Sequence, residues 1–186
     1  MLVMTAALRK KQTGEPYRNA GHFGHRVHAP DSTHLVSTAA VGGYDQVDAD
    51  LVGSVSYLRG GAFHREDGPA RVLIDGTEEW YRRGLLHSFD DQPAVVSSTG
   101  DLEWRRDGVP HRDGGKPAKV LADGTQMHLR NGQLHRDGDQ PAVSSPNGRT
   151  EYWVDGKRHR DPAAGPARIH PDGAVEYWVH GVRSAT

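Results

Sequence analysis

Five histidines recur along the chain, His64, His87, His111, His135 and His159, at spacings of 23, 24, 24 and 24 residues. Asp67, Asp113, Asp137 and Asp161 lie close by in the sequence. Imidazoles beside carboxylates could supply a general base, a metal site or a pH response. The spacing argues against the first two. A catalytic histidine works once, with a unique orienting partner, whereas here everything is repeated and Ser88 replaces the arginine that elsewhere follows the histidine. If each copy is a β-hairpin, equivalent residues stand two strand spacings apart, about 10 Å. Imidazoles that share a zinc each lie about 2 Å from it, so equivalent histidines cannot share one. The column is read as structural: each histidine fastens a turn through backbone carbonyls, and each following arginine pairs with a local carboxylate. No catalytic residue, metal or cofactor is expected.

A second pattern could bind rather than react. Counting from the first glycine of each copy, position four holds Tyr57, Trp80, Trp104 and His128, and position six holds Arg59, Arg82, Arg106 and Arg130. Residues two apart on a strand share a face, so cations beside rings could grip an acidic protein or a nucleic-acid backbone with stacked bases. The plainer reading is that the guanidinium groups shield the rings from water, while Glu79, Glu103, Glu151 and Glu176 at position three solvate the opposite face. The stripe ends at Val154 and Val179, which with Trp153 and Trp178 make a more apolar C-terminal surface suited to docking or dimerisation. The glycines lack the strand-loop-helix setting of a phosphate loop, Asp137 to Asp139 is too short for a calcium loop, and no serine sits in a nucleophile elbow.

These residues are positioned by a repeat. Pro-Ala recurs at 69/70, 93/94, 117/118, 141/142 and 166/167, and paired glycines eight apart recur from Gly76/Gly84 to Gly173/Gly181. Gly53/Gly61 keeps that interval in a worn copy, giving five clear units and a degenerate one. Each unit reads as a hairpin around Asp75-Gly76 and its equivalents, a dipeptide that tolerates the positive φ of a tight turn, and each proline marks the start of the next strand. The expected fold is all-β: an elongated array of stacked antiparallel hairpins in a single twisted layer, stabilised by contacts between neighbours. The divisions are an irregular N-terminal cap over 1–33 with a short helix over Leu2 to Lys11, a degenerate repeat over 34–63, and five repeats over 64–186.

"EYWVDGKRH" at Glu151 to His159 and "PDGAVEYWVHG" at Pro171 to Gly181 resemble MORN repeats, and "HREDGPA" at His64 to Ala70 resembles a variant associated with bacteriophage and large-virus proteins. The resemblance spans residues 53 to 184. It implies a single-layer hairpin sheet that binds proteins, self-associates or, in some members, binds lipid; it supplies a scaffold and no reaction. The chain departs from the usual unit where "HRxDGPA" replaces a plain His-Gly-x-Gly turn.

Composition agrees with a thin structure. Hydrophobic residues are 35% of the 186, while 23 glycines and 11 prolines promise many turns. A formal charge of -1 gives no whole-molecule field for nucleic acid or anionic membranes, and the absence of cysteine excludes disulfides and thiolate chemistry. The N-terminal apolar run precedes its basic residues, the reverse of a secretory signal, and no stretch approaches a membrane span. The expectation is a cytoplasmic, non-enzymatic interaction scaffold, phage-encoded and located in the host cell, with a host or viral protein partner and a homodimer among its forms. The alternatives are nucleic-acid or nucleotide binding through the Arg/aromatic stripe, and a small-ligand protein or enzyme with its site in the N-terminal segment.

Overall fold

The structure is a computed structural model that describes residues 46–50 and 53–184. The expected cap, its short helix and the first part of the degenerate repeat lie outside the described residues. Those described form an all-β chain without a helix, and none of its elements is a helix long and apolar enough to cross a membrane.

The backbone of the array is one open antiparallel sheet. It begins with the Gln46–Ala49 and Val55–Arg59 hairpin, against which Ala62–Phe63 also pairs. Two-residue strands then follow in chain order: Arg71–Val72, Glu78–Glu79, Val95–Val96, Leu102–Glu103, Lys119–Val120, Gln126–Met127, Val143–Ser144, Thr150–Glu151, Arg168–Ile169 and Val175–Glu176. Each strand pairs with its sequence neighbours in that series, so no connection crosses over and contacts stay local to adjacent repeats.

Each repeat contains two hairpins rather than one. After position four the chain leaves the main sheet and forms a separate two-stranded ladder, such as Tyr81–Arg82 with Leu85–Leu86 or Trp153–Val154 with Lys157–Arg158. The departure has a backbone cause. At position four the N–H groups of Tyr57, Trp80, Trp104, His128 and Tyr152 donate to the carbonyls of Ala70, Ala94, Ala118, Ala142 and Ala167 in the next unit, at 2.7–2.8 Å. The position-four carbonyls accept from His64, His87, His111, His135 and His159 N–H of the same unit. One residue therefore bonds forward through its N–H and within its own unit through its carbonyl, and the ladder splits there.

The five alanines are fully buried at this junction, and Val143, Glu151, Trp104 and His128 are the next most enclosed positions. Alanine is the residue that fits because the preceding repeat approaches its carbonyl closely; a larger side chain would force the two units apart.

The two glycines of a unit serve different turns. Around the first, Gly76 N–H donates to Leu73 carbonyl and Leu73 N–H to Thr77 carbonyl, a three-residue loop in which only the glycine has positive φ, at 86°. The expected role of Asp75 in supplying positive φ is corrected: its carboxylate instead accepts the Thr77 N–H at 2.8 Å, and Asp123, Asn147 and Asp172 do the same in their loops. The two-residue turn with positive φ at both positions is the second one, as at Asp107-Gly108 (φ 47° and 83°) and Asp155-Gly156 (φ 45° and 73°).

Ala118→Leu should lower unfolding stability in urea by about 1–3 kcal/mol through overpacking at the repeat junction. Ile74→Ser, at a loop position 68% exposed, should change it by less than about 0.5 kcal/mol.

Candidate functional site

The histidine column joins neighbouring repeats. In all five, ring Nδ1 accepts a backbone N–H from the tight turn of the next unit: Arg83 to His64, Asp107 to His87, Asn131 to His111, Asp155 to His135 and His180 to His159, at 3.1–3.3 Å. The expected bonds to carbonyls are thus replaced by acceptance from amides, because the turn residue with positive φ points its N–H back toward the preceding unit. An accepting Nδ1 leaves the proton on Nε2. That nitrogen donates to Asp113 from His111 (3.0 Å) and to Asp137 from His135 (2.9 Å).

In three units the arginine after the histidine covers the position-four ring. The Arg65, Arg112 and Arg160 guanidinium carbons lie 4.0, 3.7 and 3.9 Å from the ring centroids of Tyr57, Trp104 and Tyr152. The same groups donate to the carbonyls of Pro69, Pro117 and Pro166, so each arginine ties the proline loop over the ring. Arg65 pairs with the local Asp67, while Arg112 and Arg160 reach back to grip Asp91 and Asp139 of the preceding unit. Arg112 and Lys116 hold the Asp91 carboxyl down to about 2.

The position-six arginines lie elsewhere. Arg82 pairs with Asp107 at 2.6 Å, Arg106 with Asp113, and Arg130 with Asp155 at 2.9 Å and Asp137 at 3.4 Å. Arg59 is exposed. Trp104 and His128 are only 3% and 4% exposed, and Tyr57 and Trp80 are half-buried. The split of the ladder at position four separates ring from cation, so the proposed stripe becomes two features: enclosed rings under the histidine-following arginines, and an outer row of ion pairs.

Position three departs furthest from expectation. Glu151 does not solvate a face but is 1% exposed, and the side chains of Glu79, Glu103 and Glu176 retain only 16%, 18% and 13% exposure. The Glu151 carboxylate accepts from Arg149 Nε (2.8 Å), Trp153 Nε1 (2.9 Å) and Arg158 Nη2 (3.1 Å), with Arg168 Nε 3.4 Å away. Burial pushes its carboxyl up, and those hydrogen bonds outweigh burial and hold it below the ordinary range. The sequence signal was present in the register, where Glu151 stands opposite Arg168 and Arg71 opposite Glu79. It needed the pairing of short strands to become legible.

The C-terminal residues Trp153, Val154, Trp178 and Val179 are half-buried, and the two indoles share one cation. Arg158 sits 4.7 Å from the Trp153 centroid and 4.9 Å from that of Trp178, and Trp178 Nε1 donates to Glu176 at 2.8 Å. Val154 and Val179 lie in the outer ladders opposite Lys157 and Val182.

What this arrangement offers is a row of side chains on one sheet face. Cross-strand pairing places Arg71, Glu79, Val95, Glu103, Lys119, Met127, Val143, Glu151, Arg168 and Glu176 in a single line, charged at both ends and mixed apolar and charged between. No protein-family model matches the chain, and no curated protein matches it.

Two tests follow from this geometry. Glu151→Ala should destabilise by about 3 kcal/mol or more, since it strands the arginines around a buried carboxylate, whereas the more exposed Glu103→Ala should cost about 1 kcal/mol or less in the same urea titration. Acid sensitivity should come in part from His87 and His128. Burial, with Arg82 beside His87 and Arg136 beside His128, holds both below the ordinary 6.5. Their folded form is neutral, so their contribution is fully present above pH 6.5 and is lost as pH falls through the depressed folded values. His128→Tyr, which restores the ring type of neighbouring units, should make unfolding stability less dependent on pH below 6.5.

Proposed function

We propose that this chain is a non-enzymatic repeat scaffold whose sheet face docks a protein partner, in keeping with its resemblance to MORN repeats of the phage and large-virus type. The observation that carries this reading is the half-exposed part of that row, Val95, Lys119 and Met127, next to the buried Val143 and Glu151. Val95, Lys119 and Met127 are each only half-buried, with no second layer packed on them among the described residues. A mixed apolar and charged strip of this kind suits a surface that is covered on association. Self-association through Trp153, Val154, Trp178 and Val179 belongs to the same reading, because Arg158 already holds the two indoles side by side.

Nucleic-acid binding draws less support. Arg82, Arg106 and Arg130 each face a carboxylate, and counterion release needs cations free to meet phosphates. The concavities near them are shallow: one of about 460 Å³ is lined by Arg82, Arg83, Leu85 and Asp107.

A pull-down from bacterial lysate, with nuclease-treated and untreated halves, tests the proposal. A discrete protein should be retained after nuclease, lost with Lys119→Glu on the face, and kept with Arg82→Glu/Arg106→Glu on the outer row. Capture that disappears with nuclease and with the outer charge reversal would overturn protein docking in favour of nucleic acid.

A further inference from the structure

His64 differs from its counterparts at one atom. Its Nδ1 accepts the Arg83 N–H at 3.2 Å, which leaves the proton on Nε2. In the equivalent units Asp113 and Asp137 receive that proton. At His64 the corresponding residue is Glu66, whose side chain is 68% exposed and whose Oε1 stops 3.6 Å away, too far for a hydrogen bond. His64 is 5% exposed, and its Nε2 is buried without a hydrogen-bond partner among the described residues. A buried donor left unmade is costly, and here the neighbouring copies show how readily the fold can satisfy it.

The unmet donor adjoins a basic concavity. A cavity of about 290 Å³ is lined by His64, Glu66, Ala62 and the arginines Arg59, Arg82 and Arg83. Arg82 is committed to Asp107, but the Arg83 guanidinium has no carboxylate within salt-bridge distance among the described residues. Arg83 is also fixed at its backbone, since its own N–H makes the bond to His64 and its φ is 52°. The concavity therefore gathers an unpaired cation, a second cation with one carboxylate, a third cation, and a neutral N–H donor. Among the described residues Glu66 is the one acidic group lining it, and its exposed side chain can turn to solvent.

We infer that this cavity binds a phosphate group, with His64 Nε2–H and the Arg83 guanidinium as its principal donors and Arg82 and Arg59 supplying charge. Guanidinium forks match tetrahedral oxyanions bidentately, and the imidazole N–H adds a donor whose direction is set by the Arg83 amide bond. The site occurs once among the described repeats because only this junction between two units combines Glu66 in place of aspartate with arginines at 59, 82 and 83. It requires no partner on the sheet face and goes beyond the scaffold reading.

The test uses the full chain and compares its melting temperature in inorganic phosphate with that in chloride at matched ionic strength. Phosphate should raise it by a few degrees as binding saturates, since a ligand of the folded state stabilises by mass action. Arg83→Gln, at an exposed turn, should weaken phosphate affinity about tenfold, the loss of one charge-assisted contact. His64→Asn keeps an acceptor for the Arg83 N–H while deleting the Nε2 donor, and should abolish the phosphate-specific shift. Glycerol 2-phosphate distinguishes the sources: equal binding means that the phosphate arrives on a larger molecule, and binding of inorganic phosphate alone means the free ion. Equal melting temperatures in phosphate and chloride, or a shift that survives both Arg83→Gln and His64→Asn, would overturn the assignment.

Discussion

The backbone bond from each position-four N–H to the next unit's alanine carbonyl is the constraint on which the rest of the array depends. It fixes how closely neighbouring units approach, and so demands a side chain no larger than a methyl group at 70, 94, 118, 142 and 167. It also ends the main-sheet ladder at position four and turns the chain into its second hairpin. The histidine bonds then follow, because the tight turn of that second hairpin aims an N–H at the imidazole of the preceding unit. Glycine at the turn belongs to the same geometry: beyond its positive φ, a Cβ at Gly132 would stand 3.4 Å from the Val109 side chain of the unit before.

A single layer has little apolar volume to bury, and arginine makes up part of the difference. Its flat guanidinium packs on a ring while its edge donates to carbonyls and carboxylates, so one residue both excludes water and satisfies polar groups. Arg112 does this over Trp104 with Pro117 and Asp91, and Arg160 over Tyr152 with Pro166 and Asp139. Where the pattern lapses the substitute is visible. Ser88 replaces the arginine and its hydroxyl instead accepts the Arg105 N–H at 3.0 Å, a bond that still joins two units.

Repetition also frees particular positions. A feature present in every unit serves the stacking, so departures from the repeat are where specific properties reside. Glu66 departs from the aspartate of later units and leaves His64 Nε2 unmet; Glu151 departs from its more exposed equivalents by gathering Arg149, Arg158 and Arg168. Val95, and beyond the charged Glu103 and Lys119 the adjacent Met127 and Val143, interrupt the charged row of the sheet face in the same way. These departures lie on different parts of the array, which allows them to act independently.

The sequence by itself determined the period, the all-β class and the open antiparallel stacking of hairpins. Each rests on information repeated at fixed intervals: glycine pairs, Pro-Ala steps and alternating side chains. It did not determine which atoms the histidines bond, which turn carries paired positive φ, or that Glu151 is enclosed. Alternation along one strand assigns faces only while the strand continues, and the ladder breaks at position four, so Trp104 and Arg106 were assigned to one face although the former is enclosed and the latter paired outside. That break depends on hydrogen bonds between residues 13 to 15 apart, such as His128 with Ala142 and Trp104 with Ala118, and only the assembled sheet brings them together.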